Sequence, residues 1–327
     1  MRHDHYFEID AKSHFALGLR KGELFGEFLR KTINREKRDR AWPRYVRLSK
    51  DCLEITADHF PDLIDEYKGY AQGASVTFED LWALDLMDEL SDIRGDHCTT
   101  VVTNNGFLTA HNEDWSASAA NDICILKRTV GDLKAFELFY LNTLGGNSMS
   151  INSKGIVHSV NSLEHKDQQL GVPKNVMARW ISDTDSPEDA FKMLSKVPRA
   201  GGYHHTLVNA LGKVWSFECS AKMQEMNRPS TPFVHTNHYL SSKFEDLEKA
   251  NDGEGTFRRY RTASDMVTES MTMQSAEQLL SESTQGGRSI FNRRTIGRMI
   301  VDTDHMVAHV WLARERKKGW IAYDIQF

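Results

Sequence analysis

An α+β architecture, antiparallel sheets covered by helices behind a helical amino-terminal third, is the fold class the sequence predicts. Three observations predict it. Apolar residues recur at a 3.6-residue spacing up to about Asp92, the period changes to two from Cys98 onward, and hairpin turns rather than regular βαβ alternation join the strands.

The helical third is read from three segments. Lys21 to Thr32 puts Leu24, Phe25, Phe28 and Leu29 on one stripe. Tyr45 to Gly69 repeats the pattern, with Pro61 dividing it into two helices. Thr77-Phe78-Glu79-Asp80 reads as a capping box ahead of Leu81, Leu84, Leu86 and Leu90. Beyond Gly95-Asp96-His97-Cys98 the strands begin. Thr99–Thr103 and Phe107–His111 flank Asn104-Asn105-Gly106, a strong hairpin signal, and Ile123–Thr129 and Lys134–Tyr140 flank Gly131-Asp132. Met149–Asn152 and Ile156–Asn161 join through Gly155, and His205–Ala210 and Val214–Cys219 through Gly212. Helices return at Val176–Ile181, after Ser186-Pro187-Glu188-Asp189, at Phe257–Glu269 and from Ser275, which pairs with Gln278 as a second capping box. Asn251 to Gly255 reads as a loop. Strands at Ile296–Asp302, Met306–Trp311 and Trp320–Ile325 close the chain.

Composition narrows the function. The 327 residues are 40% hydrophobic and 27% charged, with a net charge of -5 and no basic block, which argues against a nucleic-acid binder. No apolar run approaches the roughly 18 residues that span a bilayer. The amino terminus lacks the apolar core and small-residue cleavage site of a secretory signal, so a cytoplasmic protein is expected. The four cysteines form no CxxC pair and suggest neither a disulfide framework nor a zinc ribbon.

Cys98 carries the chemistry. A free cysteine is most often a buried small hydrophobe. A helix-start activation is missing here, because the flanking Thr-Thr-Val-Val-Thr is strand-forming. Cleavage of the His97–Cys98 bond offers another route. It would free an α-amino group with a reference pKa of about 7.7–8.0, a suitable general base on the nucleophile's own residue. His111-Asn112-Glu113-Asp114-Trp115 follows on the partner strand, where Asp114 can orient that ammonium; the alternative is a solvated turn. In His235-Thr236-Asn237-His238, Asn237 can donate to an oxyanion or simply form a turn. The histidines at i and i+3 of a strand point to opposite faces, as do His204 and His205, and no metal site is expected. In Thr256-Phe257-Arg258-Arg259-Tyr260-Arg261, Thr256 reads as a helix cap and one inward arginine can support the site.

Asp-x-Cys-Thr-Thr, then Asn-x-Asp-Trp, Asn152-x-x-Gly155-Ile156, His-Thr-Asn-His and Thr-x-x-Arg-Tyr, in that order and spacing, resemble the penicillin acyltransferase (acyl-coenzyme A:6-aminopenicillanic acid acyltransferase) family of amino-terminal-nucleophile hydrolases. That family is related to choloylglycine hydrolase and penicillin V amidase. The early Gly18-x-x-x-Gly22 stretch extends the resemblance into the leader. It implies an αββα sandwich of two antiparallel sheets, made as a precursor. Residues 1–97 form a helical leader chain and 98–327 the nucleophile-bearing chain, together one domain. Carried over, Cys98 is nucleophile and autoprocessing residue, Asp114 holds its amine, Asn237 supplies an oxyanion donor and Arg259 supports them. His111, Trp115 and Asn152 take substrate-binding positions. Two positions depart from the family pattern: His97 stands where a small residue is usual, and His111 where Gln or Arg is common.

The expected function is a self-processing cysteine amidohydrolase or acyltransferase acting on a small N-acyl or aminoacyl amide, with hydrolysis ahead of transfer. Its rival is an unprocessed, catalytically reduced relative that binds the same ligand. No bound cofactor or metal is implied, acyl-CoA entering only as an acyl donor. The expected partners are the amide substrate and the two chains of one precursor, with no nucleic acid or membrane; homo-oligomerisation is left open.

Overall fold

Ser13 starts the first long helix by accepting a hydrogen bond from Ala16 N, a cap that satisfies a donor left over at the helix end. In the computed structural model, residues 2–90, 98–249 and 254–327 are described, the side chain of Asp88 excepted. His97 and the boundary residues before it, with most of the loop read at Asn251–Gly255, lie outside them. A short strand, β1 (Tyr6–Ala11), precedes α1 (His14–Glu36). Proline takes the first position of α3 (Pro61–Ala74), which separates it from α2 (Trp42–His59). Thr77 caps α4 (Phe78–Asp85), and α5 (Met87–Leu90) adds one turn.

The hairpin turns form where their residue types demand. Asn104, Asn105 and Gly106 all take positive φ between β2 (Thr99–Thr103) and β3 (Leu108–Asp114). The chain continues through β4 (Ile123–Val130), β5 (Leu133–Tyr140), β6 (Met149–Asn152) and β7 (Val157–Ser162). Next come α6 (Lys174–Ile181), α7 (Pro187–Lys196), β8 (Tyr203–Val208) and β9 (Val214–Cys219). Then follow β10 (Gln224–Asn227), β11 (Phe233–His235), α8 (Glu254–Met266) and α9 (Met273–Leu280). The chain closes with β12 (Thr295–Asp302), β13 (Val307–Leu312) and β14 (Ile321–Asp324).

Two sheets stack face to face. One orders its strands β1-β4-β5-β6-β7-β8-β9-β10, the other β11-β2-β3-β12-β13-β14. Between them lies a core that includes Ile125, Leu138, Ile151, Val102, Met299 and Val310. The leader helices with α6 and α7 cover the outer face of the first sheet, and α8 and α9 cover the second. The four layers are the expected α+β sandwich.

Four details differ from the sequence reading. The leader opens with a strand, β1, which the helical periodicity of the following residues overshadowed. It pairs parallel with β4, the exception in otherwise antiparallel sheets. The short strand β10 is added beside β9. The second capping box is Thr272 with Ser275, one turn earlier than Ser275 with Gln278, and Glu254 and Gly255 already belong to α8.

The leader docks by backbone contact and buried charge. Gly18, Gly22 and Gly26 of α1 face Gly69 and Gly73 of α3, and a Cβ at Gly73 would lie 2.2 Å from Leu19 O. Beside this seam Lys21 Nζ lies 2.7 Å from Glu66 Oε1, while Glu66 Oε2 takes His14 at 2.7 Å and Arg179 at 3.0 Å. Arg179 and Arg128 both bind Asp183, and Arg128 reaches Glu137 at 2.9 Å. Three cations and three carboxylates thus balance in the interior, joining the leader to α6 and the first sheet. Burial alone would raise the Glu66 pKa, but Arg179 and Lys21 hold it well below the usual carboxylate range.

Gly73→Ala is expected to destabilise the protein by about 1–3 kcal/mol through overpacking, although alanine is the better helix former by about 1 kcal/mol. Lys21→Met should cost about 3–5 kcal/mol by stranding a buried charge, with part recovered in the double variant carrying Glu66→Gln. Urea unfolding checks both; wild-type midpoints would contradict this account of docking.

Candidate active site

Cys98 stands at the mouth of β2, buried at 2% exposure, with β3 beside it. Antiparallel register sets Thr99 opposite Asn112 and Thr100 opposite His111, which brings Glu113 level with Cys98. Strand alternation then sorts the side chains. Cys98, Thr100, His111 and Glu113 face the space between the sheets; Asn112 and Asp114 face the outer helices. The sequence reading of a solvated turn after this strand is corrected here, since β3 is buried through Asp114.

On the inner face Glu113 is a hub. Its Oε1 accepts from the Cys98 thiol at 3.4 Å and from Tyr140 OH at 2.9 Å. Its Oε2 contacts His111 Nε2 at 3.0 Å and accepts from Ser148 Oγ. His111 Nδ1 lies 2.9 Å from Thr100 Oγ1, which also reaches Asn161. Sequence reasoning missed Glu113, Tyr140 and Ser148 as site residues. The signal available was His111 and Glu113 at i and i+2, which share one face of a strand.

On the outer face Asp114 is fully buried and accepts from Asn292 Nδ2 at 2.8 Å. Its Oδ1 has no hydrogen-bond partner among the described residues. Burial pushes the carboxyl up to about 6, against the pull of Arg259 and the hydrogen bonds of Thr295 and Asn292. Arg259 Nη2 donates to Asn237 Oδ1 at 2.8 Å. Arginine can only donate, so it fixes which end of the Asn237 amide is oxygen. Asn237 Nδ2 in turn donates to Ser162 O at 3.1 Å. Helical spacing turns Arg259 inward while Arg258 and Arg261 stay exposed. Thr256 lies inside α8 rather than capping it, and its Oγ1 accepts from Asn237 N at 2.8 Å.

A cavity of about 170 Å³ opens beside Glu113 and Tyr140. Trp115, Asp122 and Asn147 line it from the strand connections, and Phe28, Thr32, Arg35 and Glu36 line it from α1. The connections after β3 and β5 thus wall it on one side and α1 on another.

Two predicted substrate residues sit elsewhere. His111 is wholly buried behind Glu113 and does not line the cavity. Asn152 belongs to the β6–β7 turn: its Nδ2 donates to Ser182 O and Thr184 O, and its Oδ1 accepts from Lys154 N and Ile156 N. Those bonds commit it to the turn.

The metal reading also needs amending. Ligand-type atoms of Cys98, His111 and Glu113 lie within 4.8 Å of one another, so a carboxylate does recur at ligand spacing. Four groups already engage the two Glu113 oxygens through hydrogen bonds. His204 and His205 do point to opposite faces, the first towards Asn161 and Ser216, the second towards His158.

The buried Cys98 at the mouth of β2 thus has one acid, Glu113, on its own face of the sheet and another, Asp114, on the opposite face, within an αββα sandwich. The chain belongs to the acyl-coenzyme A:6-aminopenicillanic acid acyl-transferase family, whose model matches residues 101–313, starting just past Cys98. It is 25% identical over 213 residues to beta-alanyl-dopamine/carcinine hydrolase of Drosophila melanogaster, covering 56% of this chain. The chain spans about half the length, 55%, of that curated relative. Similar solved structures include penicillin V acylase from Agrobacterium tumefaciens (TM-score 0.45, 14% identity, 66% of this chain and 83% of that one). A mutant conjugated bile acid hydrolase from Clostridium perfringens aligns with TM-score 0.46 and 10% identity over 70% of this chain and 92% of that one. No helix among the described residues is long and apolar enough to cross a membrane.

Burial holds five of the histidines neutral. His158 and His204 fall well below the ordinary 6.5, His205 to about 3, His238 to about 4 and His165 to about 4. Folded values below unfolded ones contribute stability that is complete above pH 6.5 and is lost as pH falls towards 3. Asp114, raised above its ordinary 3.8, acts in the opposite direction, losing its contribution as pH rises through about 6. Five histidines outweigh one aspartate. The melting temperature should therefore hold above pH 7 and fall steadily from pH 6.5 to 4; a flat or rising trend in scanning calorimetry would refute the assignment.

Proposed function

We propose that the protein is a self-processing cysteine amidohydrolase that cleaves a small N-acyl or aminoacyl amide through an acyl-enzyme on Cys98. The observation that carries the reading is the buried Asp114 Oδ1, without a hydrogen-bond partner among the described residues, beside the strand that Cys98 opens. The Arg259 charge and the Thr295 and Asn292 groups leave the carboxyl still raised, so a buried carboxylate here remains costly until a further cation completes it. The ammonium freed by cutting the His97–Cys98 bond is that cation.

In the mature enzyme the thiol attacks the substrate carbonyl and its own α-amine takes the proton. Asn237, oriented by Arg259, donates to the oxyanion. The leaving amine collects the proton as the C–N bond breaks, and water then releases the acyl group. Asp114 keeps the amine in place; an ammonium beside it draws the carboxyl back down from about 6. The cavity beside Glu113 suits a small substrate. The activity of the fly relative, a beta-alanyl-dopamine/carcinine hydrolase, makes β-alanyl amides of small amines the first compounds to screen, with acyl-CoA and an amine acceptor as the transfer assay. Residues 1–97 and 98–327 would persist as two chains of one domain.

Cys98→Ala should lower turnover by on the order of 10⁴-fold or more, as loss of a nucleophile does elsewhere. Denaturing mass spectrometry should find fragments beginning at Met1 and Cys98 in the wild type and one chain in the variant. An unbroken wild-type chain that binds amides without turning them over would instead establish the ligand-binding alternative.

A further inference from the structure

The proposed mechanism leaves one proton without an acceptor. Before the His97–Cys98 bond is cut, the Cys98 nitrogen is an amide and has no basicity to offer. The first turnover, self-cleavage, must therefore use a different base from every later one. We infer that Glu113 is the base of self-cleavage, an inference that rests on the self-processing reading above.

The geometry suits the task. The thiol already points its hydrogen at Glu113 Oε1 over 3.4 Å, on the inner face of the sheet. Tyr140 and Ser148 donate to the same carboxylate and hold it still, and His111 backs Oε2 at 3.0 Å. Asp114 cannot substitute, because alternation sends it to the other face, towards Asn292. The two neighbouring acids thus divide the work: Glu113 serves the thiol while the nitrogen is tied up, and Asp114 serves the nitrogen once it is free. His111 acts as a positioning residue for Glu113.

The step balances. The thiol proton passes to Glu113 as sulfur bonds to the His97 carbonyl carbon. The C–N bond then breaks, and Glu113 returns the proton to the departing Cys98 nitrogen, leaving a thioester and a free amine. Water hydrolyses the thioester, releasing the His97 carboxylate and restoring the thiol. No cofactor or oxidant enters.

The test follows conversion of freshly purified full-length protein by intact-mass spectrometry across pH 5 to 9, with melting curves to confirm folding. Glu113→Gln should cleave at least ~100-fold more slowly than wild type, the size of a general-base contribution. In Glu113→Ala, added formate should restore cleavage in proportion to its concentration, which a merely structural role would not produce. Hydroxylamine, which attacks thioesters, should not rescue Glu113→Gln, because the block falls before the thioester forms. Cleavage of Glu113→Gln at the wild-type rate, or full rescue by hydroxylamine, overturns the inference and leaves self-processing intact. A wild-type chain that stays whole at every pH overturns both.

Discussion

The buried charge network around Glu66 is the interaction on which the rest of the architecture depends. Its members come from α1, α3, α6 and the first sheet, so Glu66 finds all its partners only when α1, α3 and α6 are packed together. Ions buried this deeply are tolerated only in good geometry with balancing partners. Lys21 meets that condition twice, donating to Leu144 O as well as to Glu66. The glycine seam makes the geometry attainable, because it lets α1 approach α3 closely enough for Lys21 to reach inward. The leader is thus an integral layer of the sandwich, and β1 in the first sheet fastens it a second time.

Within that frame, strand alternation makes one sequence motif do two jobs. Glu113 and Asp114 are adjacent in the chain yet occupy different environments. Glu113 sits among hydroxyl, thiol and imidazole groups; Asp114 is buried beneath the outer helices, where burial outweighs Arg259, Thr295 and Asn292 and raises its pKa to about 6. The distinction depends on the register of β3 against β2. A slip of one residue would exchange the two acids and place neither correctly.

Much of this was legible in the sequence, for physical reasons. Asn104-Asn105-Gly106 and Gly131-Asp132 supply the positive φ that hairpins require, so those strands could be placed. Pro61 and the caps at Thr77 and Ser186 located helix boundaries. Cys98, Asp114, Asn237 and Arg259 could be singled out because each lies in a local motif. What escaped depends on long-range pairing. β1 gains its identity only from β4, more than a hundred residues away. Glu113 becomes a hub only when Tyr140 and Ser148 arrive from the facing sheet. Asn152 shows the converse: its motif marked it out, but local backbone groups in its own turn and the end of α6 claim every polar atom.

The wall that α1 lends to the cavity separates two kinds of information. Phe28, Thr32, Arg35 and Glu36 shape the space beside Glu113, yet they belong to α1, while Cys98, Glu113, Asp114, Asn237 and Arg259 all follow position 97. If the proposed function holds, drift in a few α1 positions retunes which molecules fit this cavity without touching Cys98 or its neighbours. Recombining the leader of one homologue with the remainder of another is then a route to new selectivity, provided the glycine seam and its charges are kept.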